Sequence, residues 1–549
     1  MQPQRHRGTE ARPLYSANPA NQLSCKKLTK IIYYAAKHKI RSWPLCLCAS
    51  VVACLLFTGC EVGPNYKPPA TTMPAAFASA PSTTQPSTAV VDTAQWWKSL
   101  NDPELNSLIA RAVNANPDVQ IALMHLQEAR TFEYVASGQA LPYLDVAGGA
   151  GRGSGTNSTK GRVPGPLNAG TNTTGLKEIT EVAGFDAAWN MDLFGGLRRQ
   201  IEAARFDTQA AAQARNEALV VLIAQVAAAY IDQRGVEFRL RIAGADISSE
   251  QHSTDVVKAR YQRGFTTELD VALAQRQFAE VEAEIAPLEA ARQADERRLA
   301  VLLGQFPGAL AAELSHAEPL PTLPATITPG LPVELLRRRP DIQQSERELA
   351  ASTARIGVAI SALYPQVFIT GGAGFQGQGL GRTPIENSFI GSIGPSAYWP
   401  LLDFGTLDAL VQVQDYRTKE LLLTYQKTVL IAVEQVDNAV DNYDSQQQLL
   451  QQLDTALDAA NRAVEVVTQR YNRGFTNYLD VLDAQRELYG LQAQYATAQE
   501  QVILEFINLY EALGGGWENY QSVPAVRKPR PAILAIFSSH DDSRKTATK

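Results

Sequence analysis

Thiols are scarce where they would matter. All five cysteines (Cys25, Cys46, Cys48, Cys54 and Cys60) fall within the first sixty of 549 residues. If the chain is processed at Cys60, its mature form has one thiol, at its first position, so a disulfide or a thiolate metal site within the chain is excluded. Histidine is nearly as sparse: His125, His252, His316 and His540 follow Cys60, with no close pairing among them. No metal site is expected. Also missing are a glycine loop that cradles phosphate at the start of a helix and a nucleophile elbow. No cofactor and no enzymatic activity are expected. Excess positive charge is lacking too. Residues 1–59 hold nine Lys/Arg and one acidic residue, leaving 41 basic and 55 acidic side chains downstream. Nucleic-acid binding needs a basic face for the phosphates, so that class is excluded.

Near the N-terminus the apolar run Trp43–Phe57 is too short for a comfortable membrane span. Lys26, Lys27, Lys30, Lys37, Lys39 and Arg41 precede it, the order of a secretory signal with a long N-terminal extension, over 1–59. The run ends Leu55-Leu56-Phe57-Thr58-Gly59-Cys60, which resembles a lipobox, although Phe57 departs from the usual aliphatic residue. Glu61 follows Cys60, and not the aspartate that commonly retains lipoproteins at the inner membrane. Cys60 is therefore the expected lipidation site, with a multiply acylated cysteine tethering the mature chain, since one acyl chain anchors only marginally. A plain signal peptide with an incidental cysteine is the other reading.

What the sequence does have is repetition. Residues 260–276 (RYQRGFTTELDVALAQR) and 470–486 (RYNRGFTNYLDVLDAQR) match at twelve of seventeen positions. The offset of 210 also relates Trp189, Phe194 and Gly195 to Trp399, Phe404 and Gly405. Upstream, Ala140-Leu141 corresponds to Ala362-Leu363 at an offset of 222, so the first copy carries about twelve extra residues. Two copies are too few for a solenoid and point to an internally duplicated unit.

Each copy begins with a helical stretch (about 103–139, then 340–362), continues with two strand-like runs, and ends in two very long helices. Leu422, Val429, Val436 and Tyr443 recur every seven residues, with Tyr425, Ala432 and Ala439 interleaved, the pattern of sustained coiled-coil packing. A helix over 197–247 would be ~75 Å long and has no place in a compact globule. Pro287 should kink the fourth long helix. The strand candidates are about 142–151, 179–193, 365–377 and 388–402, joined by Gly, Ser, Thr and Asn-rich loops such as 152–178. Loose period-two patterning over ~10 residues is the weak signature of membrane strands; an ordinary small sheet gives the same signal. A sheet in a bilayer must close on itself, and single-chain barrels start at ~8 strands, so four membrane strands would require several copies. Physics alone permits two, three or more.

Taken in order, further segments resemble the TolC-like outer membrane factors, in particular the OprM/NodT lipoprotein branch. These are Cys60-Glu61-Val62-Gly63-Pro64-Asn65-Tyr66 with Pro68-Pro69; Trp96-Trp97 before Leu105; Asn116-Pro117-Asp118; and Asp192-Leu193-Phe194-Gly195. Gly330-Leu331-Pro332, Arg338-Arg339-Pro340-Asp341-Ile342, Asp403-Phe404-Gly405, both RG-F-T segments and Ala512-Leu513-Gly514-Gly515-Gly516-Trp517 complete the set. The resemblance implies a mixed α and β membrane protein. It would form a homotrimer with a long-helix periplasmic α-barrel and a twelve-stranded β-barrel, four strands from each subunit. It also implies the partners: outer membrane lipid, a periplasmic adaptor (membrane fusion) protein and an RND-type inner-membrane transporter. The function implied is a passive exit duct of a tripartite efflux pump, in the outer membrane and extending into the periplasm.

On that basis the chain divides into a signal (1–59), a lipidated equatorial segment (60–101), a first repeat (102–303), an equatorial linker (304–339), a second repeat (340–517) and a poorly ordered tail (518–549). The glycines of the RG-F-T segments suit a break between helices, and the resemblance places these segments at the periplasmic tip. It makes Arg263, Gly264, Phe265, Thr266, Arg473, Gly474, Phe475 and Thr476 the adaptor contact; a plain glycine turn with a buried aromatic is the alternative. Asp480 and Asp483 lie on one helix face and would form carboxylate rings in a trimer. With Asp270, Tyr261 and Tyr471 they are the expected periplasmic gate; a solvated helix face is the alternative. The first copy has Leu273 opposite Asp483, and Thr476 stands where some members have arginine, so the closing network stays open. Trp189 and Trp399 suit either a membrane-interface belt or core packing. Two rival functions fit the same sequence: a type I protein secretion conduit, and a lipid-tethered coiled-coil scaffold without a pore.

Overall fold

A computed structural model describes residues 61–70, 73–74, 77–78, 93–152, 179–316, 318–323, 332–378 and 389–522. Cys60, the leader, the loop 153–178 and the end of the C-terminal tail lie outside the described residues. The helices are α1 (Pro103–Ala115), α2 (Pro117–Gln139), α3 (Gly196–Gln262), α4 (Glu268–Ala283), α5 (Ile285–Leu302), α6 (Pro332–Arg338), α7 (Pro340–Ser361), α8 (Thr406–Asn472) and α9 (Tyr478–Ala512). The strands are β1 (Tyr143–Arg152), β2 (Ile179–Asn190), β3 (Gln366–Gln378) and β4 (Phe389–Tyr398). The duplication is visible in these bounds. Helices α3 and α8 each run 67 residues, with starts and ends 210 apart. Upstream, Pro117 and Pro340 open α2 and α7, and Tyr143 and Gln366 open β1 and β3, so the offset there is 223, one more than the sequence spacing suggested.

Two further boundaries differ from expectation. The stretch 103–139 is two helices, because Asn116 leaves the helical conformation and its Oδ1 accepts from the amides of Asp118 (2.8 Å) and Val119 (3.2 Å), capping α2. Helix α3 continues past 247 to Gln262. Pro287 acts as expected: it lacks an amide hydrogen and its ring crowds the carbonyl four residues back, at Ala283, where α4 ends.

The chain divides into two compact units, each drawing on both copies: residues 1–70, 128–210 and 345–425 form one, and 71–127, 211–344 and 426–549 the other. In the first, the strands form one antiparallel sheet in the order β1-β2-β3-β4. The register pairs Leu144 with Ala187, Ala187 with Gly371 and Gly371 with Ile393; one step on, Asp145 pairs with Asp186, Asp186 with Gly372 and Gly372 with Ser392. Paired residues share a face. One face thus collects Leu144, Val146, Phe185, Ala187, Ile369, Phe375, Phe389 and Ile393; the other mixes Asp145, Asp186, Thr370, Ser392 and Ser396 with Tyr143, Phe368, Ile390 and Tyr398. On the apolar face Leu144, Val146, Phe185, Phe375, Phe389 and Ile393 are all exposed. Among the described residues, neither β1 nor β4 has a partner on its outer side.

At the base of the sheet the two tryptophans play one part. Trp189 Nε1 donates to Ala140 O and Trp399 Nε1 to Leu363 O, both at 3.1 Å, fixing each strand pair to the helix that precedes it. Asp192 and Asp403 then start the long helices, accepting from the amides of Leu197 (3.0 Å) and Leu407 (2.8 Å). The N-terminal segment lies against α3 and α7. There Gly63 meets Gly357 so closely that a Cβ on Gly63 would stand 2.5 Å from the Gly357 Cα. The buried Arg199 guanidinium binds Val62 O (3.2 Å), Asn65 and Glu202 (2.7 Å), with Glu61 at 3.4 Å.

In the second unit, Trp96 stacks on Tyr510 (centroids 5.6 Å apart) and meets Phe506 edge-on (6.1 Å). Asp102 both caps α1 through Leu105 N (3.0 Å) and accepts from Tyr230 OH (2.7 Å). Arg339 donates to Ala512 O (2.7 Å) and pairs with Asp341 (2.7 Å). Of the heptad positions of α8, Tyr425, Val429, Ala432, Val436, Ala439 and Tyr443 are buried and Leu422 is half-buried.

Candidate functional site

The two RG-F-T segments fold as the same object. In the first, Gly264 N–H donates to Tyr261 O (2.8 Å) and Phe265 N–H to Arg260 O (2.9 Å); in the second, Gly474 and Phe475 donate to Tyr471 O and Arg470 O, both at 2.9 Å. This pair of bonds ends a helix in a Schellman turn, which needs a left-handed residue at its hinge. Gly264 (φ +80°) and Gly474 (φ +79°) supply it.

The next helix begins at once. Thr267 caps α4 by accepting from Asp270 N (3.4 Å), while Asp270 Oδ2 accepts from Thr267 N (3.2 Å), a closed capping box. Asn477 caps α9 through Asp480 N (3.0 Å). The Thr266 hydroxyl donates to Asp270 and the Thr476 hydroxyl to Asp480. With both ends closed by backbone and polar groups, the phenylalanines are left outside. Phe265 is 73% exposed and Phe475 72%. The glycine turn is real, but its aromatic is not buried. Arg263 and Arg473, between hinge and helix, are exposed as well.

Asp270 and Asp480 therefore have a local task, tying the first turn of a helix to the loop before it. Asp483, one helical turn further on, is exposed, and its counterpart Leu273 packs against a buried cluster. That cluster joins Val257, Ala274, Tyr471, Tyr478, Val481 and Leu482. The two tyrosines expected at the gate differ sharply: Tyr471 is 7% exposed, Tyr261 44%. The Arg260 guanidinium carbon lies 4.5 Å from the centroid of the Tyr471 ring, a cation–π contact within the chain. The Tyr471 hydroxyl is buried near Thr266 without closing a hydrogen bond, and burial pushes its pKa up, offset by the Arg260 charge.

Two acidic residues beyond this cluster escaped the sequence reading. Glu250 is fully buried, accepts from Tyr489 OH (3.3 Å), and has its pKa raised by burial. Asp246, one turn earlier, is pushed up to about 7 by burial and then by Glu284. Their signal was the three-four spacing of Ala243, Asp246, Glu250, Thr254 and Val257, which sets acids in the seam of α3. Among the described residues no group of His, Cys, Asp and Glu could hold a metal ion.

The sequence pattern of the family described as outer membrane efflux protein matches residues 108–305 and again 331–515. The chain belongs to the outer membrane efflux protein family. Among its relatives, nodulation protein T of Rhizobium leguminosarum bv. trifolii is 31% identical over 463 residues, 84% of this chain and 96% of that one. The toluene efflux pump outer membrane protein TtgF of Pseudomonas putida is 28% identical over 493 residues, covering 86% and 98%. The solved outer-membrane channel OprN superposes with a TM-score of 0.76 at 31% identity, over 84% of this chain and all of that one. The open MtrE channel of Neisseria gonorrhoeae gives 0.70 at 25%, over 85% and 100%. As an efflux-family member the chain is an outer-membrane protein, built on the TolC-like fold of long helices and a small sheet. Such proteins are channels and not enzymes.

Proposed function

We propose that this protein is the exit duct of a tripartite efflux pump, a homotrimer that passes small molecules from the periplasm to the exterior. The observation that carries the proposal is the two-faced sheet. The exposed apolar side chains of one face suit lipid, and the carboxylates and hydroxyls of the other suit a water-filled lumen. Strands of 10 to 13 residues match the ~9–11 needed to cross a bilayer at a tilt. The open edges of β1 and β4 cannot stand in hydrocarbon, because unpaired backbone groups there cost several kcal/mol each. They run in opposite directions, so β4 of one copy can pair with β1 of the next in unbroken antiparallel order. Three copies would give a closed, twelve-stranded wall.

The turns at Gly264 and Gly474 are the docking points for the periplasmic adaptor in this reading, with Phe265 and Phe475 as anchors and Arg263, Thr266, Arg473 and Thr476 around them. Two exposed aromatics on rigid, capped turns are the kind of anchor that carries binding energy. The gate lies just beyond: three copies of Asp483 facing solvent would ring the axis with negative charge, above Asp480, Asp270, Tyr261 and Tyr471. The adaptor would join the duct to an RND-type transporter in the inner membrane. Cys60, acylated, would tether the N-terminal segment to the outer membrane.

The test is reconstitution. Protein extracted in detergent should have the mass of three chains, resist dissociation until heated, and conduct ions in planar bilayers. A single-chain mass with no conductance would end the proposal and leave a pore-less scaffold.

A further inference from the structure

The two longest helices begin with opposite charge. A helix N-terminus favours acids, and α8 conforms with Asp408 in its first turn. The first turn of α3 has no acid. At the matching places, 210 residues earlier, Asp408 and Asp415 become Arg198 and Arg205. The N-terminal segment lies against this start: a Cβ on Gly195 would stand 3.0 Å from the Glu61 Cα.

Segment and helix enclose a cavity of about 480 Å³, lined by Glu61, Tyr66, Arg198, Glu202, Arg205 and Phe206 around the buried Arg199. That volume falls in the ~300–1,000 Å³ range of small-molecule sites. Arg199 is committed to the wall through Val62 O, Asn65 and Glu202. The other two guanidinia are exposed and only partly spent. Arg198 reaches Asp192 Oδ2 (3.4 Å) and Asp192 O (3.2 Å), and Arg205 donates through Nε to Glu133 (3.3 Å), from the five N–H groups that each carries. Tyr66 and Phe206 meet edge-on, 6.0 Å between centroids, and give the cavity an apolar side.

We propose that this cavity holds the headgroup of an aminophospholipid: Arg198 and Arg205 bind its phosphate, and Glu61 and Glu202 accept from its ammonium. Place and charge argue for it together. Strand β2 ends at Asn190 and α3 begins at Gly196, so the cavity opens where the chain leaves the bilayer on its periplasmic side. Glu61 also follows Cys60, the proposed acyl anchor. A headgroup with phosphate alone would leave two carboxylates facing an anion, whereas a zwitterion gives each sign a charge-assisted partner. The helix amides are not the anchor, because Asp192 already accepts from those of Leu197 and Arg198, both at 3.0 Å. The inference rests on the membrane-crossing sheet proposed above and adds a lipid gripped beside the covalent anchor, which fixes the depth at which α3 enters the bilayer.

Protein extracted from outer membranes and stripped of lipid in detergent is titrated with short-chain phosphatidylethanolamine, phosphatidylglycerol or inorganic phosphate, and bound molecules are counted by native mass spectrometry. One phosphatidylethanolamine per chain is expected, held at least tenfold more tightly than phosphatidylglycerol and not displaced by millimolar inorganic phosphate. Arg198→Gln with Arg205→Gln should weaken it about tenfold, ~1.4 kcal/mol, with the melting curve unmoved. Lipid binding equal to the parent protein in that variant would overturn the site, and so would equal binding of the two lipids. Displacement by inorganic phosphate would make it a free-phosphate site and overturn the lipid. Every lining residue comes from one chain, so a single-chain mass that still takes up one phosphatidylethanolamine would remove the trimeric duct and leave this site standing.

Discussion

Tyr489 reaches across from α9 to place its hydroxyl 3.3 Å from Oε2 of the fully buried Glu250 on α3. Asp246 sits one turn away on the same side of α3, faced by Glu284 from the end of α4 and by Gln492 on α9, whose amide nitrogen, turned to face it, donates to both carboxylate oxygens. The neighbours on α9 thus offer hydrogen bonds and no positive charge.

A pH dependence follows. Both acids have folded pKa values above the ordinary carboxylate range, about 7 for Asp246, so the folded protein binds protons that the unfolded chain releases. Stability from this pair is complete below about pH 4 and is lost progressively as pH rises to about 7. Asp246→Asn should stabilise the protein by about 1–2 kcal/mol at pH 8 and by little at pH 5. Heat-induced subunit dissociation, followed at both pH values, measures it. An equal effect at both would show that the charge is not the cause.

Docking is tested with Phe265→Asp and Phe475→Asp together. Both rings are already in solvent, so the fold should lose less than about 0.5 kcal/mol, and trimers should persist in native gels. Pull-down by the purified adaptor should fall at least tenfold. Unchanged capture would remove the turns from the interface.

Asp480 and Asp483 should part company. Asp483→Ala should weaken block of the channel by divalent cations while leaving thermal stability in place. Asp480→Ala removes a carboxylate that the Thr476 hydroxyl holds at the start of α9 and should cost about 1 kcal/mol. Titrating cation block in single-channel recordings, beside melting curves, separates gate from cap.

Arg199 offers a test of the N-terminal fastening. Arg199→Met would remove the partner of Val62 O, Asn65, Glu61 and Glu202, whose side chains remain open to water, a loss of about 1–3 kcal/mol, the range for hydrogen bonds to a charged group. The segment 61–70 should become open to protease while the helices stay resistant. Protection equal to the parent protein would show that the Gly63–Gly357 contact suffices.

Much of this architecture was legible. The RG-F-T repeats fixed the hairpin ends, and the heptads of α8 named residues that are in fact buried. The sheet was harder, because its apolar face is built partly of what is missing: Gly371, Ala373 and Gly391 carry no hydrophobic signal, and only the register shows that they share a face with Phe185 and Ile393. The Asn116 break was hidden because proline after asparagine suits a kink as well as a new start. The split between Tyr261 and Tyr471 could not be read at all, since the closely matching sequence around both gives the same local turn. Their difference arises only from which neighbour each finds.

The opposed directions of β1 and β4 reach beyond sealing. Any number of identical sheets could be joined side by side and every junction would look alike, so nothing in the strands counts subunits. The calibre of the passage is then a property of the rods beneath the membrane, whose crossing geometry limits how many can be packed into a ring. Changes to the strands would be expected to alter leakiness, and changes to the helical seams the number of chains.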